Sequence, residues 1–423
     1  MVLNKKLNVA VMNSNNNTLN TYLVGGAVRD QLLERPILEK DFVVVGSTPK
    51  QMLALGFTQV GKDFPVFLHP KTKEEYALAR TEKKQGQGYT GFVCNADPTV
   101  TLVEDLARRD LTVNAMAINA DGEIIDPYNG LNDLNKKILR HVSSAFIEDP
   151  LRVLRVARFA SRYHYLGFTI ADETLALMTK ISQSGELSAL SPERIWKELE
   201  RSLGEKNPEV FIETLRKCNA LEKLWPELNA LWGIPNPAKW HPEICSGVHT
   251  LMVLQQACLL SPSPVIRFAA LCHDLGKSLT PKSLWPSHHG HEKAGVGLIE
   301  RFCKQYRVPK QYQQLALLVS EYHLHTHKAF ELNASTILRM FDALDVWRKP
   351  EQLGQFLLVC QADFNGRLGK ENDAYPQADY LTSLYQACIA VTAKAFVEKG
   401  LKGKAIKDAI HNERLNVIAS FNR

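Results

Sequence analysis

The alternation of apolar and polar positions changes character near residue 148. Before that point the apolar runs are short and rich in valine and aromatic residues. Tyr22–Val24, Phe42–Val45, Val66–Leu68 and Tyr76–Ala79 each read as a strand. Gly25 and Gly26 separate the first run from a helical stretch that reaches Leu33. Lys83–Gly91 sets Gly86, Gly88 and Gly91 among polar residues and reads as a mobile loop. Beyond Glu148 the strand signals fade. Pro150 opens a long amphipathic helix, and helical periodicity continues through Glu198 and Leu199. The stretch Pro235–Pro242 looks like a linker, a second helical block runs from Gly247 to about Leu332, and the remainder is helical again. The pattern predicts an α+β chain: a mixed β-sheet head at 21–141, a helical segment at 142–235, a second helical domain at 246–347 and a helical tail at 348–423. The Asn-rich residues 1–20 read as a flexible extension.

Bulk properties narrow the class. A chain of 423 residues exceeds one ordinary core and implies two to four domains. An apolar share of 45% with 23% charged residues is that of a soluble globular protein. The formal net charge of +6 permits a nucleic-acid partner without requiring one. The eight cysteines form no Cys-x-x-Cys pair, so they are expected to be reduced thiols in the cytoplasm. No apolar run approaches the ~18–20 residues that span a bilayer, and no secretory signal is expected.

Chemistry enters at Glu39-Lys40-Asp41-Phe42-Val43. Acids at i and i+2 of a strand share a face and can reach one site. Phosphoryl transfer from a nucleoside triphosphate needs about two divalent cations bridging the attacking and leaving oxygens. Upstream stands Val24-Gly25-Gly26-Ala27-Val28-Arg29. A Gly-Gly turn into a helix lets backbone N–H groups approach a phosphate, and Arg29 in the first turns can bind one.

Together, LVGGAVRDQLL and EKDFVVVG resemble the active-site motif of the class II tRNA nucleotidyltransferases and the bacterial poly(A) polymerases. From Thr21 onward the chain resembles the bacterial CCA-adding enzymes that carry an HD phosphohydrolase domain. The resemblance implies a polymerase-β-like nucleotidyltransferase head followed by all-α neck, body and HD domains. It also implies catalytic, Mg2+-holding roles for Glu39 and Asp41 and contact of Gly26 and Arg29 with the nucleotide. The family often has Asp where Glu39 stands, and Glu, one methylene longer, still offers oxygen to a hard cation. Glu75 is a candidate third acid. Arg109, in ARRDLTVNA, is implied in nucleotide binding and Asp110 in selecting ribose. The 148–158 run, EDPLRVLRVAR, resembles the family's protein template. There Asp149 and Arg152 would read the edge of C or A, and Arg155 and Arg158 would hold the triphosphate. A carboxylate and a guanidinium leave a wrong base with unpaired polar groups, at ~1–3 kcal/mol each. The Ser191–Ile195 segment, SPERI, is read as a helix start without a chemical role.

Nine of the thirteen histidines lie between His241 and His327. Leu271-Cys272-His273-Asp274-Leu275-Gly276-Lys277 resembles the HD phosphohydrolase motif. On a helix, the two adjacent side chains diverge by about 100° and would flank a cation lying against it. His249 is the expected partner ligand, with His291, His323 and Asp363 as further candidates. The expected cation is divalent, Ni2+ or Mg2+, and the implied activities are phosphatase and 2′,3′-cyclic phosphodiesterase. Past Val391, seven Lys and Arg against three acids, among them Lys394, Lys399, Lys402, Lys404 and Lys407, suit contact with RNA phosphates. The expected partners are the tRNA 3′ end, CTP and ATP, with no membrane, in a monomer or homodimer. The runner-up readings are a poly(A) polymerase and an HD phosphohydrolase whose N-terminal half only binds nucleotide.

Overall fold

A computed structural model describes residues 19–60, 66–84 and 92–421. Most of the expected N-terminal extension and the glycine-rich part of the expected loop lie outside the described residues. The chain forms two compact units. One runs up to Glu198 and takes in Val210–Lys223; the other holds Leu199–Glu209 and everything from Leu224.

The first unit is organised by a sheet. Its strands are β1 (Asn20–Val24), β2 (Asp41–Val45), β3 (Thr58–Val60), β4 (Val66–Leu68) and β5 (Glu75–Leu78). A separate hairpin, β6 (Thr81–Lys84) and β7 (Phe92–Asn95), precedes the last two strands of the main sheet, β8 (Ala117–Ile118) and β9 (Ile124–Ile125). The main sheet has the order β3-β4-β5-β2-β1-β8-β9, with β2 parallel to β5 and its other pairs antiparallel. The unbroken Phe42–Val45 run follows from burial on both faces. Val43 packs with Val100, Leu102 and Leu106, whereas Val44 packs with Met52, Phe57 and Phe67. Thr48 with Gln51, and Thr101 with Glu104, form capping boxes that start the helices on either face.

After the sheet comes the expected helix, Leu151–Tyr163, which buries Val153, Leu154, Val156 and Ala157. The segment past Glu148 is not wholly helical. Thr169–Ile170 pairs in parallel with Ile138–Leu139. Two-residue strands are too short for alternation to show in a sequence.

The second unit is helical among its described residues. Ser246–Leu260, Pro264–Cys272, His291–Gln305, Lys310–His327 and Glu351–Asn365 pack together. Trp225 stacks on Phe302 at 3.9 Å between ring centres, and Phe268 and Tyr312 complete this apolar centre. Ala334–Ala343, Pro376–Ile389, Ala393–Glu398 and Lys404–Ser420 follow. No helix among the described residues is long and apolar enough to cross a membrane.

Candidate functional sites

In the head, β1 ends where the chain turns at Gly25, and Val24 is paired with Asp41, the first residue of β2. Glu39 therefore does not share a strand face with Asp41 as expected, because the strand begins only at Asp41. Glu39 has no neighbouring strand to bond and lies exposed, ahead of β2. Its charge still reaches Asp41. Partial burial raises the Asp41 carboxyl above its ordinary value, Arg109 pulls it down, and Glu39 adds to the rise. Glu75 opens β5 directly beside Asp41 in the parallel ladder. The acids do not converge into a three-ligand cluster. Mg2+ commonly binds through one or two carboxylates together with substrate phosphates, and that donor set fits Asp41 with Glu39 or Glu75.

Gly25 is the turn residue that requires glycine. Its φ is +71°, and an added Cβ would lie 2.7 Å from a guanidinium nitrogen of Arg109. Gly26 opens the Gly26–Leu32 helix. Arg109 reaches the Asn114 carbonyl and Asp105, each at 3.4 Å, which holds it against the glycine turn, and its charge acts on Asp41. Arg29, expected at the nucleotide, is buried instead. It binds both oxygens of Asp30 at 3.1 and 3.0 Å, donates to the Asn114 side chain, and lies over the rings of Phe159 and Tyr163.

The arginines of the Leu151–Tyr163 helix are also engaged internally. Arg152 donates to the carbonyls of Ala145 and Arg108 at 2.8 and 2.5 Å. Arg155 pairs with Asp110 at 2.7 Å, and Arg158 with Glu198 at 2.6 Å. Asp110 also accepts from the backbone of Leu111 and the side chain of Asn114. Although its burial opposes the charge, Arg155 and these bonds hold its carboxyl far below the usual range. Asp149 caps the helix start by accepting from Leu151 N, and its other oxygen accepts from Arg194 at 2.9 Å. The SPERI segment thus supplies an arginine that orients Asp149, a contact missed in the sequence because nothing in the spacing links residues 45 apart. The Arg152 N–H donates to the Asp149 carbonyl at 3.0 Å, but the carboxylate and the guanidinium bond to other partners; both residues lie where the head meets this helix.

In the second unit, the His-Asp pair does not lie within a helix as expected. The helix ends at Cys272, His273 caps it, and Asp274 leaves it with φ −109°. Gly276 then lies so close to the next helix that an added Cβ would collide with the His291 carbonyl and stand 2.6 Å from the Gly295 nitrogen. This approach brings elements far apart in sequence to one point. Asp363 Oδ1 is 3.0 Å from His249 Nε2 and 3.8 Å from His273 Nε2. Asp274 Oδ2 is 3.2 Å from His273 Nε2, while Oδ1 is 3.1 Å from His291 Nε2 and 3.7 Å from His323 Nε2.

Two buried triads result, His249–His273–Asp363 and Asp274–His291–His323, and every candidate ligand named for this site is in one of them. His273 Nε2, Asp274 Oδ1 and His291 Nε2 are buried without a hydrogen-bond partner. Donor atoms at these separations suit ligands about 2.0–2.2 Å from a common ion. Burial pushes the pKa of His323 down to about 3, which keeps the ring neutral, as a metal ligand must be. The unpartnered nitrogens, the mixed His and Asp donors and their convergence fit a divalent cation at each triad. Lys277 lies 2.5 Å from Asp274 Oδ2 and 2.9 Å from Asn236 Oδ1. His327 Nε2 donates to Asp363 Oδ2 at 2.7 Å, and its Nδ1 meets the Tyr375 hydroxyl at 2.9 Å. Lys277 was signalled by its place in HDLGK; His327 carried no signal beyond the histidine density.

Three family models match the chain in order: a Poly A polymerase head domain over residues 21–140, a probable RNA and SrmB-binding site of polymerase A over 167–231, and an HD domain over 247–352. The chain is thus built from a nucleotidyltransferase-type head, a polymerase-A RNA-binding segment and an HD domain. Among solved structures, it is similar to a CCA-adding enzyme in its apo form II, with a TM-score of 0.65, 20% identity, and coverage of 96% of this chain and 89% of the other. It is similar to the Thermotoga maritima CCA-adding enzyme complexed with tRNA_CCA, with a TM-score of 0.62, 20% identity and coverage of 96% and 88%. A tRNA-processing enzyme (apo form I) matches at 0.57 and 22% identity over 95% and 94%. The fold is that of the CCA-adding enzymes, with an HD domain in the C-terminal half.

Proposed function

We propose that this protein adds C, C and A to the 3′ end of tRNA from CTP and ATP without a nucleic-acid template, releasing pyrophosphate. The observation that carries this reading is that Arg109 lies against the Gly25 turn and acts on Asp41, with Glu39 also within electrostatic reach, at the end of the central strands β1 and β2. The carboxylates would hold Mg2+, which supplies charge neutralisation at the phosphates and polarises the attacking hydroxyl. The turn and Arg109 would cradle the triphosphate. Arg29, Arg155 and Arg158 would act from behind, fixing the wall rather than touching the nucleotide. Asp149, oriented by Arg194, would read the base together with Arg152, whose guanidinium would exchange a backbone carbonyl for the base edge. The matched RNA-binding segment and the fold shared with CCA-adding enzymes, structures of which include complexes with ATP, CTP and tRNA, support this substrate class.

The HD cluster supports a second activity, hydrolysis of phosphomonoesters and 2′,3′-cyclic phosphodiesters. The triads would hold a divalent cation, Ni2+ or Mg2+, which supplies a nucleophilic water and polarises the phosphoryl group. Lys277 would offer positive charge to the phosphate. The test is incubation with tRNA lacking its 3′ end, with CTP and ATP singly and together, read at nucleotide resolution. Ordered addition of C, C and A is expected. Long A tails from ATP alone would instead establish a poly(A) polymerase, the reading favoured by the name of the head family. Asp41→Ala is expected to abolish incorporation while cyclic phosphodiester hydrolysis persists.

A further inference from the structure

The imidazoles of the HD cluster are not all held in the same way. His273, His291 and His323 each direct Nδ1 at a main-chain carbonyl of their own turn or helix: Ala270 at 2.7 Å, His288 at 2.6 Å and Val319 at 2.9 Å. Donation from Nδ1 fixes the tautomer and leaves Nε2 as the free lone pair. His249 differs. It lies in the first turn of its helix, and its buried Nδ1 forms no hydrogen bond but lies 3.0 Å from Oε1 of Glu243, a residue outside that helix. Its Nε2 faces Asp363.

We infer that Glu243 is a positioning residue that fixes His249 as a metal ligand of the His249–His273–Asp363 triad. The inference rests on the metal-holding reading of that triad. A carboxylate beside Nδ1 favours the tautomer with its proton there. When a cation displaces the proton from Nε2, Glu243 holds the remaining N–H and raises the basicity of the ligating nitrogen.

Glu243 is itself built into place. Its side chain is 3% exposed. The same Oε1 accepts from His241 Nδ1 at 2.8 Å, since an imidazole facing a carboxylate is favourable only as a donor. Oε2 accepts from the Leu368 N–H at 3.3 Å. The next residue, Ile244, has φ +59°, which a β-branched side chain rarely adopts. The Asn236 N–H to Ile244 carbonyl bond, at 2.6 Å, holds that turn. A strained turn that sets one carboxylate oxygen against the imidazoles of both His241 and His249 is consistent with a constrained role.

The experiment uses the full-length protein stripped of metal and titrated with Ni2+ by calorimetry. Glu243→Ala is expected to weaken Ni2+ binding about 10–100-fold, the usual cost of losing the partner of a ligating histidine. Glu243→Gln, which keeps an acceptor oxygen but not the charge, should lose less, and His241→Ala less again. The Ni2+ concentration for half-maximal 2′,3′-cyclic phosphodiester hydrolysis should move by the same factor, with kcat unchanged at saturating Ni2+. Wild-type Ni2+ affinity in a folded Glu243→Ala protein overturns the inference, as does a kcat that stays low at saturating metal. A wild-type protein that binds neither Ni2+ nor Mn2+ overturns the metal reading beneath it, an outcome distinguishable before any variant is made.

Discussion

Asp105 shows how single ionised residues hold the head together. Its side chain has no exposure, yet it accepts from Arg108 at 2.7 Å, Arg109 at 3.4 Å and the Arg80 backbone at 3.2 Å. Burial opposes its charge, but the two guanidinium groups outweigh burial and hold the carboxyl below its ordinary value of 3.8. Asp110 is shifted in the same direction. The unfolded chain therefore takes up protons before the folded one as pH falls past 3.8. Stability contributed by these groups is complete above that pH and is lost as pH drops toward the folded values. Urea titrations between pH 3 and 6 should show stability rising with pH at the acid end. Asp105→Asn should flatten that limb and lower stability at neutral pH. An unchanged acid limb in the variant would show that the carboxylate does not control it. The buried Arg158 gives a companion case. Glu198→Ala strands its guanidinium, at ~3–5 kcal/mol if nothing replaces the partner. The shift in urea midpoint, at constant slope, measures it.

At the scale of elements, the sequence was legible where local rules decide. The Phe42–Val45 strand, the Gly-Gly turn and the Pro150 helix start all stand as the pattern predicts. What depends on a partner element was not legible. Glu39 lost its place on the strand because β1 ends opposite Asp41. The arginine stripe on the Leu151–Tyr163 helix resembled a binding face, but its partners Asp110 and Glu198 are brought up by other elements. Asp274 left its helix because Gly276 has to meet the His291–Gln305 helix. That last contact can be tested. In Gly276→Ala the new methyl group collides with backbone, which must move, and His291 moves with it. The variant is expected to lose Ni2+ affinity and cyclic phosphodiester hydrolysis and to retain nucleotide incorporation by the head. Wild-type hydrolysis would show that the His291 approach is not needed.

For the whole molecule, the decisive feature is that each proposed site lies inside one unit. The acids and Arg109 belong to the first, and both histidine triads belong to the second. A ligand that binds only folded protein stabilises what it binds, by ~2.7 kcal/mol at a concentration 100 times its dissociation constant. Chains with more than one cooperative unit need not unfold in a single step. Ni2+ bound at the triads should therefore raise the melting of the second unit and leave that of the first unchanged. The units can be told apart by where amide exchange becomes protected: β1 and β2 report the first, and the Ser246–Leu260 and Glu351–Asn365 helices the second. Asp363→Asn replaces the anionic ligand that faces both His249 and His273 by a neutral amide, so the Ni2+-dependent protection should disappear in that variant. CTP with Mg2+ should act in the opposite sense, protecting β1 and β2 in the wild-type protein and in Asp363→Asn alike, and failing to do so in Asp41→Asn. Protection of both units by either ligand would mean that the two sites are coupled. In that case a nucleotidyltransferase defect in an HD variant could no longer be assigned to the residue replaced.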